Sequence, residues 1–578
     1  MNETRWDAHG GPLIDLMIAD AAERKSAWDL ALDYPRLTLT ERQLCDLEML
    51  TTGAFSPLTG FMTEEEYVSV RDTMRLPARS AGGQGTLWPM PIILDVPVNH
   101  PYTLGQDILL CDTYGNPLAT LAIESIFTPD KSKEAELVFG TKEELHYGVR
   151  YLFKHTHPVY IGGPVTGLAL TQKHDFSSLR YTPRELREWF AANGWNKIIA
   201  FQTRNPMHRA HFEIVKRALE DHNAKLLIHP AVGLTKDGDI DYATRVSIYK
   251  IISEKYLPEI SKVALLPIAM RMGGPREAIW HAIIRRNHGA THFIVGRDHA
   301  GPGKNAAGDN FYGPYDAQNA AKAHAPEIGL TIIDPKEMVY VEEHSTYFPF
   351  DAVPARTTVK NISGTQFRSM LRSGAEIPEW FSFPEVVTEL RKSVEREERR
   401  GFVLFFTGLS GAGKSTIASI VAARITEQYK RPVTLLDGDV VRNHLSKGLG
   451  FSKADRDANI ERIGFVAAEI ARHGGITICA AIAPYESARN TNRETISKQG
   501  TYIEIFVDTP LEACEARDTK GLYRKARAGE LKGFTGIDDP YEVPTNSEII
   551  LNTASLTPHE SADLILAYLR DKNLLSQS

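Results

Sequence analysis

The sequence predicts a multidomain α/β protein with four parts. These are a β-rich N-terminal domain, a Rossmann-like domain, a small α/β domain and a C-terminal P-loop domain. Three observations carry the prediction. The chain has 578 residues, which at roughly 100–200 residues per domain is about three to five domains. Strand and helix signals alternate from about residue 177, the rhythm of parallel sheets wrapped by helices. A strand–glycine loop–helix unit starts afresh at Phe402, after the charged stretch Leu390 to Gly401.

Residues 1–176 contain short β-like runs broken by Gly and Pro, such as Leu87 to Val98 and Asp107 to Asp112, after one helical stretch near Pro12–Asp33. Residues 177–335 open with the helix Thr182 to Gly194, which has a Thr cap, Pro at its first position and a Gly stop. Strands are predicted at Lys197 to Phe201, Lys225 to Val232 and Thr291 to Gly296, with a helix beginning near Pro206. Residues 336–396 form the small α/β domain and residues 397–578 the P-loop domain, with a boundary in the charged stretch.

Composition bounds the partners. Lys plus Arg total 66 and Asp plus Glu 73, a net charge of −7, so an overall electrostatic grip on nucleic acid is not expected. Four scattered cysteines with no CxxC pair suggest neither a zinc ribbon nor a disulfide framework. The N-terminus lacks a basic segment followed by an apolar one, and the apolar run Val263 to Met270 is too short to span a bilayer. A soluble, cytoplasmic protein with no membrane or nucleic-acid partner is expected.

Val403 to Thr416 fits GxxxxGK[ST] between a strand and a helix. Gly408, Leu409, Ser410, Gly411, Ala412, Gly413, Lys414, Ser415 and Thr416 would wrap phosphate oxygens in backbone N–H groups, with positive potential from the helix N-terminus. Lys414 supplies a point charge for the β/γ-phosphates, and Ser415 can hold Mg²⁺ arriving with ATP. Asp437 and Asp439 close the next strand, where one carboxylate could organise Mg²⁺ or accept the proton of an acceptor hydroxyl. Arg442, Arg456 and Asn459 follow on predicted helices; alone they would read as a solvated face.

In the front half, Ala200 to His211 leaves a strand and enters a helix through Pro206, with His208 and His211 three apart. As zinc ligands they lack the HExxH spacing and an evident third ligand. At a helix's first turn they suit a phosphate chain; a structural pair is the plain alternative. Val295 to Gly303, Met270 to Phe293 and Asn361 to Arg368 add three more phosphate-friendly segments in the same frame.

Two family resemblances rest on these segments. QTRNPMHRAH, HPAVGLTKDGDID, MRMGGPREAIWHAI, GRDHAGPG and ISGTQFR, in that order, resemble ATP sulfurylase, a nucleotidylyltransferase. Leu39 to Met62 resembles that family's PUA-like N-terminal domain. The P-loop, DGDVVRNHL, GFSKADRDANIERI and KGLYRKARAGELKGFTGIDDPYE resemble adenylylsulfate (APS) kinase. The resemblance implies ATP and sulfate giving APS and pyrophosphate, then ATP and APS giving PAPS, with Mg²⁺ and a homo-oligomer, dimer or hexamer. It places sulfate on Gln202, Arg204 and the backbone of Ala300, and ATP on Gln202, Thr203, Arg204, Asn205, Gly296, Arg297, Asp298, His299 and Val339. Thr203, Arg204 and Asn205 would be the catalytic loop, with His208 and His211 stabilising the phosphates. In the kinase domain Lys414, Asp437 and Asp439 would be catalytic and Ser415 and Asp437 the metal ligands. Arg442, Phe451, Arg456, Asn459, Lys520 and Phe534 would bind APS under a lid of residues 520–541.

One segment departs from the kinase pattern. Active members usually carry Ser-Pro-Tyr-Arg where this chain reads Ala483-Pro484-Tyr485-Glu486. That resembles the PAPS-binding regulatory domain of fungal sulfurylases, whose P-loop and DGD are degraded; here both are intact. An active kinase and a PAPS-binding regulatory module therefore both stand as readings.

Overall fold

The structure is a computed structural model. It describes residues 7–575 except 79–82, 114, 172, 174, 236–238, 399–400, 430 and 519–520. It divides into two compact units, Met1–Ser393 and Val394–Ser578.

The first unit begins with a seven-stranded sheet: β1 (Arg36–Thr38), β2 (Gly60–Phe61), β3 (Leu94–Val96), β4 (Asp107–Cys111), β5 (Pro117–Ala122), β6 (Ser125–Phe127) and β7 (Val159–Gly167). β7 pairs with β2, β3, β5 and β6, so this one strand organises the sheet. Only Leu94–Val96 of the apolar run 87–98 is a strand. Pro89 and Pro91 lack the N–H groups a ladder needs, and buried Trp88 donates its indole N–H to Met90 O at 2.7 Å instead. The early helix is also shorter than predicted: it spans Ala21–Ala31, where Asp20 accepts from Ala22 and Glu23 N–H.

A five-stranded parallel sheet follows: β8 (Ile198–Phe201), β9 (Lys225–Ile228), β10 (Ser261–Val263), β11 (His292–Ile294) and β12 (Thr331–Ile333), ordered β10-β9-β8-β11-β12. The chain starts at β8, runs outward through β9 and β10, then returns to β11 on the other side. β8 and β11 therefore flank a topological switch point, where a crevice opens beyond the strand C-termini. Phe201 pairs with Ile294, so the segments that follow both strands leave the sheet side by side. β9 stops at Ile228, two residues before Pro230. The helix expected from Pro206 starts only at Arg209, because His208 is its cap.

The helix Gly274–Asn287 is buried almost all round, the signature of a core helix. Its Trp280 ring lies 5.3 Å from Phe55, and Asn287 receives His9 N–H and donates to Ala54 O and Ser56 O. One hydrophobic core thus runs from the seven-stranded sheet into the parallel sheet. A small antiparallel sheet ends the unit: β13 (Met338–Val341), β14 (Thr346–Pro349) and β15 (Val359–Lys360). The charged stretch is helical further than predicted, within Pro384–Glu398.

The second unit is a five-stranded parallel sheet: β16 (Phe402–Thr407), β17 (Val433–Asp437), β18 (Ile476–Ala480), β19 (Thr501–Val507) and β20 (Ile549–Leu551), ordered β17-β18-β16-β19-β20. Phe402, Leu404 and Phe406 of β16 enter one apolar cluster and Val403 and Phe405 another. A continuous apolar strand is what a sheet covered by helices on both faces requires. Among the described residues, no helix is long and apolar enough to cross a membrane.

Candidate active sites

At the mouth of the first crevice, Gln202 is buried, and its Oε1 has no hydrogen-bond partner among the described residues. An orphaned buried acceptor is costly and marks a place where a ligand or water completes the site. Thr203 Oγ1 accepts from Asn205 N–H at 3.0 Å, making a tight turn. Buried Tyr249 donates its hydroxyl to Asn205 O at 2.7 Å, with Thr203 O 3.4 Å away. Arg204 Nη1 meets Asp239 Oδ1 at 2.5 Å. The TRN turn is thus held through its backbone by Tyr249 and through the Arg204 side chain by Asp239.

His208 caps the helix Arg209–His222 and His211 lies in its first turn, with the two rings 6.3 Å apart. His208 N–H reaches His211 Nδ1 at 3.4 Å, and His208 Nδ1 lies 2.9 Å from Ser382 Oγ. Phe367 and Phe381 wall the His208 ring at 5.0 and 5.1 Å. Desolvation, helped by His211, lowers the His208 pKa to about 3, and desolvation lowers His211 too. Both are neutral rings here, so they act as hydrogen-bond donors and not as fixed cations.

Gly296 to Ala300 leave β11 at the neighbouring position. Asp298 and Ala300 both have φ of +54°, a left-handed backbone that non-glycine residues rarely adopt and that costs about 1 kcal/mol or more each. Asp298 N–H donates to Pro314 O, and Ala300 O accepts from Gly274 N–H. A Cβ on Gly301 would sit 2.1 Å from Asp298 Oδ1, so a side chain there would have to displace that carboxylate. Arg297 pairs with Glu337 at 3.0 Å, both partly exposed. His299 Nε2 lies 3.0 Å from His281 Nδ1. Val339 is buried on β13, opposite Phe348 of β14.

In the second unit a cavity of about 680 Å³ gathers the P-loop with Asp437, Asp439, Arg442, Phe451, Arg456, Asn459 and Phe534. Gly408, Gly411 and Gly413 have φ of 147°, 74° and 101°, the positive values that let the loop turn its N–H groups inward. Lys414 is folded back, with Nζ donating to Gly408 O at 2.9 Å and Leu409 O at 2.8 Å. Ser415 Oγ donates to Asp437 Oδ2 at 2.6 Å. Asp437 also caps the helix Gly438–Asn443, accepting from Asp439 N–H.

Arg442 donates to Gly450 O at 2.9 Å and lies over the Phe451 ring. Arg456 is the hub of the cavity wall, bonded to Phe451 O, Gly533 O, Thr535 Oγ1 and Asp539 Oδ2. Asn459 is buried and its Oδ1 has no hydrogen-bond partner among the described residues. Phe451 is exposed and Phe534 buried edge-on against Tyr523. Lys520 lies outside the described residues.

The departing segment is built differently from its sequence appearance. Ala483 has φ of +47° and its carbonyl accepts from Arg489 Nη1 at 2.7 Å. Ala483 and Pro484 line the cavity, whereas Glu486 lies outside the lining. Glu486 opens the helix Glu486–Ser497 and accepts from Thr545 Oγ1 at 3.0 Å, a favourable end for a carboxylate.

Sequence reasoning missed Tyr249, Ser382, Glu277, His281 and Arg489. Glu277 and His281 carried a signal: an acid and a histidine four apart, flanking the apolar run Ala278 to Trp280.

The family model for ATP-sulfurylase matches residues 177–393, that for adenylylsulphate kinase residues 400–552, and that for a PUA-like domain residues 6–170. The chain is 49% identical over 574 residues to a sulfate adenylyltransferase of Chaetomium globosum, covering 98% of this chain and 99% of that one. It is 47% identical to one of Phaeosphaeria nodorum with the same coverage. A solved structure described as a hexameric APS kinase from Thiobacillus denitrificans is similar with a TM-score of 0.71 and 35% identity, covering 99% of both chains. With its switch-point crevice, its P-loop cavity and relatives of this likeness along its whole length, the chain belongs to the sulfate adenylyltransferase family and carries an APS kinase domain.

Proposed function

We propose that the chain is a bifunctional sulfate-activating enzyme. In the first unit, a sulfate oxygen attacks the α-phosphorus of ATP. The bond to the β-phosphate bridging oxygen breaks, giving APS and pyrophosphate. Gln202, Arg204 and the Ala300 backbone hold sulfate. Gln202 to Asn205, Gly296 to His299 and Val339 hold ATP. Thr203, Arg204 and Asn205 form the catalytic turn. Sulfate is a weak nucleophile, so positioning and charge stabilisation carry the rate. His208 and His211 donate to α/β-phosphate oxygens and to the departing pyrophosphate.

In the second unit, the APS 3′-hydroxyl attacks the γ-phosphorus of ATP, giving PAPS and ADP. Arg442, Arg456 and Asn459 hold APS, with its adenine against Phe451 and Phe534; Lys520 is assigned to APS by family resemblance. Lys414 swings from its loop carbonyls to the phosphates, and Asp439 takes the hydroxyl proton. The Ser415 hydroxyl and Asp437 carboxylate, 2.6 Å apart at the P-loop mouth, are hard oxygen donors suited to Mg²⁺. Mg²⁺ bound there would neutralise phosphate charge. The observation that carries the kinase reading is this intact P-loop with its DGD carboxylates, while Glu486 faces Thr545 outside the cavity.

The hexameric description of the Thiobacillus denitrificans structure supports a homo-oligomer, dimer or hexamer. Four unpaired cysteines fit a cytoplasmic location. The phosphosulfate anhydride is uphill to make, so a kinase consuming APS would pull the first reaction forward.

The test is direct. Purified protein given APS and ATP–Mg²⁺ is expected to form PAPS. No PAPS, beside pyrophosphate release from ATP and sulfate, would overturn the kinase reading and leave a PAPS-binding regulatory module.

A further inference from the structure

Glu277 and His281 lie one turn apart on the helix Gly274–Asn287, both fully enclosed. The Glu277 carboxylate accepts N–H bonds from Arg271 at 2.9 Å and from Gly273 at 2.6 Å. Burial pushes its pKa up, but His281 and these two N–H groups more than offset that, so it stays ionised. His281 Nε2 is 3.3 Å from Glu277 Oε1, an electrostatic contact without hydrogen-bond alignment, and its Nδ1 is 3.0 Å from His299 Nε2. Burial drives both imidazoles toward the neutral form.

A neutral imidazole carries one proton. A ring lone pair facing a buried carboxylate would be repelled, strongly so in a low dielectric. The His281 proton therefore sits on Nε2, toward Glu277, and Nδ1 keeps its lone pair. The 3.0 Å contact is then a hydrogen bond only if His299 holds its proton on Nε2. This leaves His299 Nδ1 bare, and among the described residues no protein donor meets it.

We propose that Glu277 and His281 are positioning residues that fix His299 as a hydrogen-bond acceptor for a donor group of the nucleotide. The inference rests on the placement of ATP on residues 296–299. Phosphate oxygens are themselves acceptors and would be repelled by a bare nitrogen. The donors ATP offers are its ribose hydroxyls and the adenine amine, and His299 takes one of them.

The experiment measures KM and kcat of APS formation with ATP, 2′-deoxy-ATP, 3′-deoxy-ATP and purine riboside triphosphate. A buried acceptor left without its donor should raise KM for one of the three analogues by about tenfold or more. That penalty should vanish in His299→Ala. It should also shrink in His281→Gln and in Glu277→Gln, which free or reverse the proton order, while KM for sulfate moves little. Discrimination against none of the three analogues by the unmodified enzyme overturns the proposal, whatever the variants do. So does an unchanged penalty in folded His281→Gln. An unchanged KM for ATP in His299→Ala would instead show that ATP is not held on residues 296–299.

Discussion

The two candidate nucleotide sites occupy the same place in the same kind of sheet, yet they are made of opposite materials. The first unit uses buried groups and a strained backbone: neutral His208 and His211 behind aromatic walls, neutral His281 and His299 anchored on the enclosed Glu277 carboxylate, and left-handed Asp298 and Ala300. The second uses long charged side chains around an open cavity, with Lys414 parked on carbonyls and Arg456 spanning to Gly533 and Thr535. Adenylyl transfer to sulfate brings two anions together and gains from rigid, prepaid positioning. Phosphoryl transfer to a bulky nucleotide needs charge that can move onto phosphates as they arrive. Rigidity and mobility are two solutions to one electrostatic problem.

Crossing the two sites gives the largest effect. Lys414→Ala should lower PAPS formation by about 10²-fold or more and spare APS formation, and Arg204→Ala should do the reverse. Separate assays of pyrophosphate and PAPS check this; a Lys414→Ala protein with both rates intact would erase the contrast.

Acid should act on one unit more than the other. Burial holds His146 at about 4 and His288 at about 3, while His444, His473 and His559 of the second unit are exposed. The unfolded chain protonates these rings near 6.5, so they favour folding fully above that pH. Their contribution falls as pH drops through 6.5 toward the folded values. At pH 5 the loss is roughly 2 kcal/mol for each. Calorimetry at pH 7.5 and pH 5 should show the first unit's transition falling further than the second's.

Tyr249→Phe removes the donor beneath the TRN turn and should lower sulfurylase kcat by about fivefold to tenfold, with kinase rate unchanged. The smallest effect belongs to Glu486→Ala, which should leave PAPS formation within about twofold, because a lost contact at a helix end outside the cavity costs only a few tenths of a kcal/mol. A large fall would bring Glu486 into the chemistry.

Motifs tied to strand ends were legible because they are local. The P-loop, the DGD carboxylates and the two crevice loops announce themselves by chain neighbours alone. Tyr249, Ser382 and Arg489 were not legible, since each acts on residues 44 to 174 positions away or on a carbonyl any residue could supply. The run 87–98 misled because apolar residues report burial, and burial without ladder partners is extended chain and not strand. His208 reads as lying inside the helix because Pro206 reads as a helix start, whereas the helix begins three residues later, at Arg209, after the histidine cap.

The helix Gly274–Asn287 sets where this gene can be cut. Its apolar surface is shared between the seven-stranded sheet and the parallel sheet. A fragment starting near residue 177 would face water with Trp280 and the sockets of Asn287, and would come out of expression as aggregate. A division near residue 400 leaves each piece with a core of its own. For recombination as for the laboratory, the transferable cassettes number two, and the β-rich front end is inherited with the crevice or not at all.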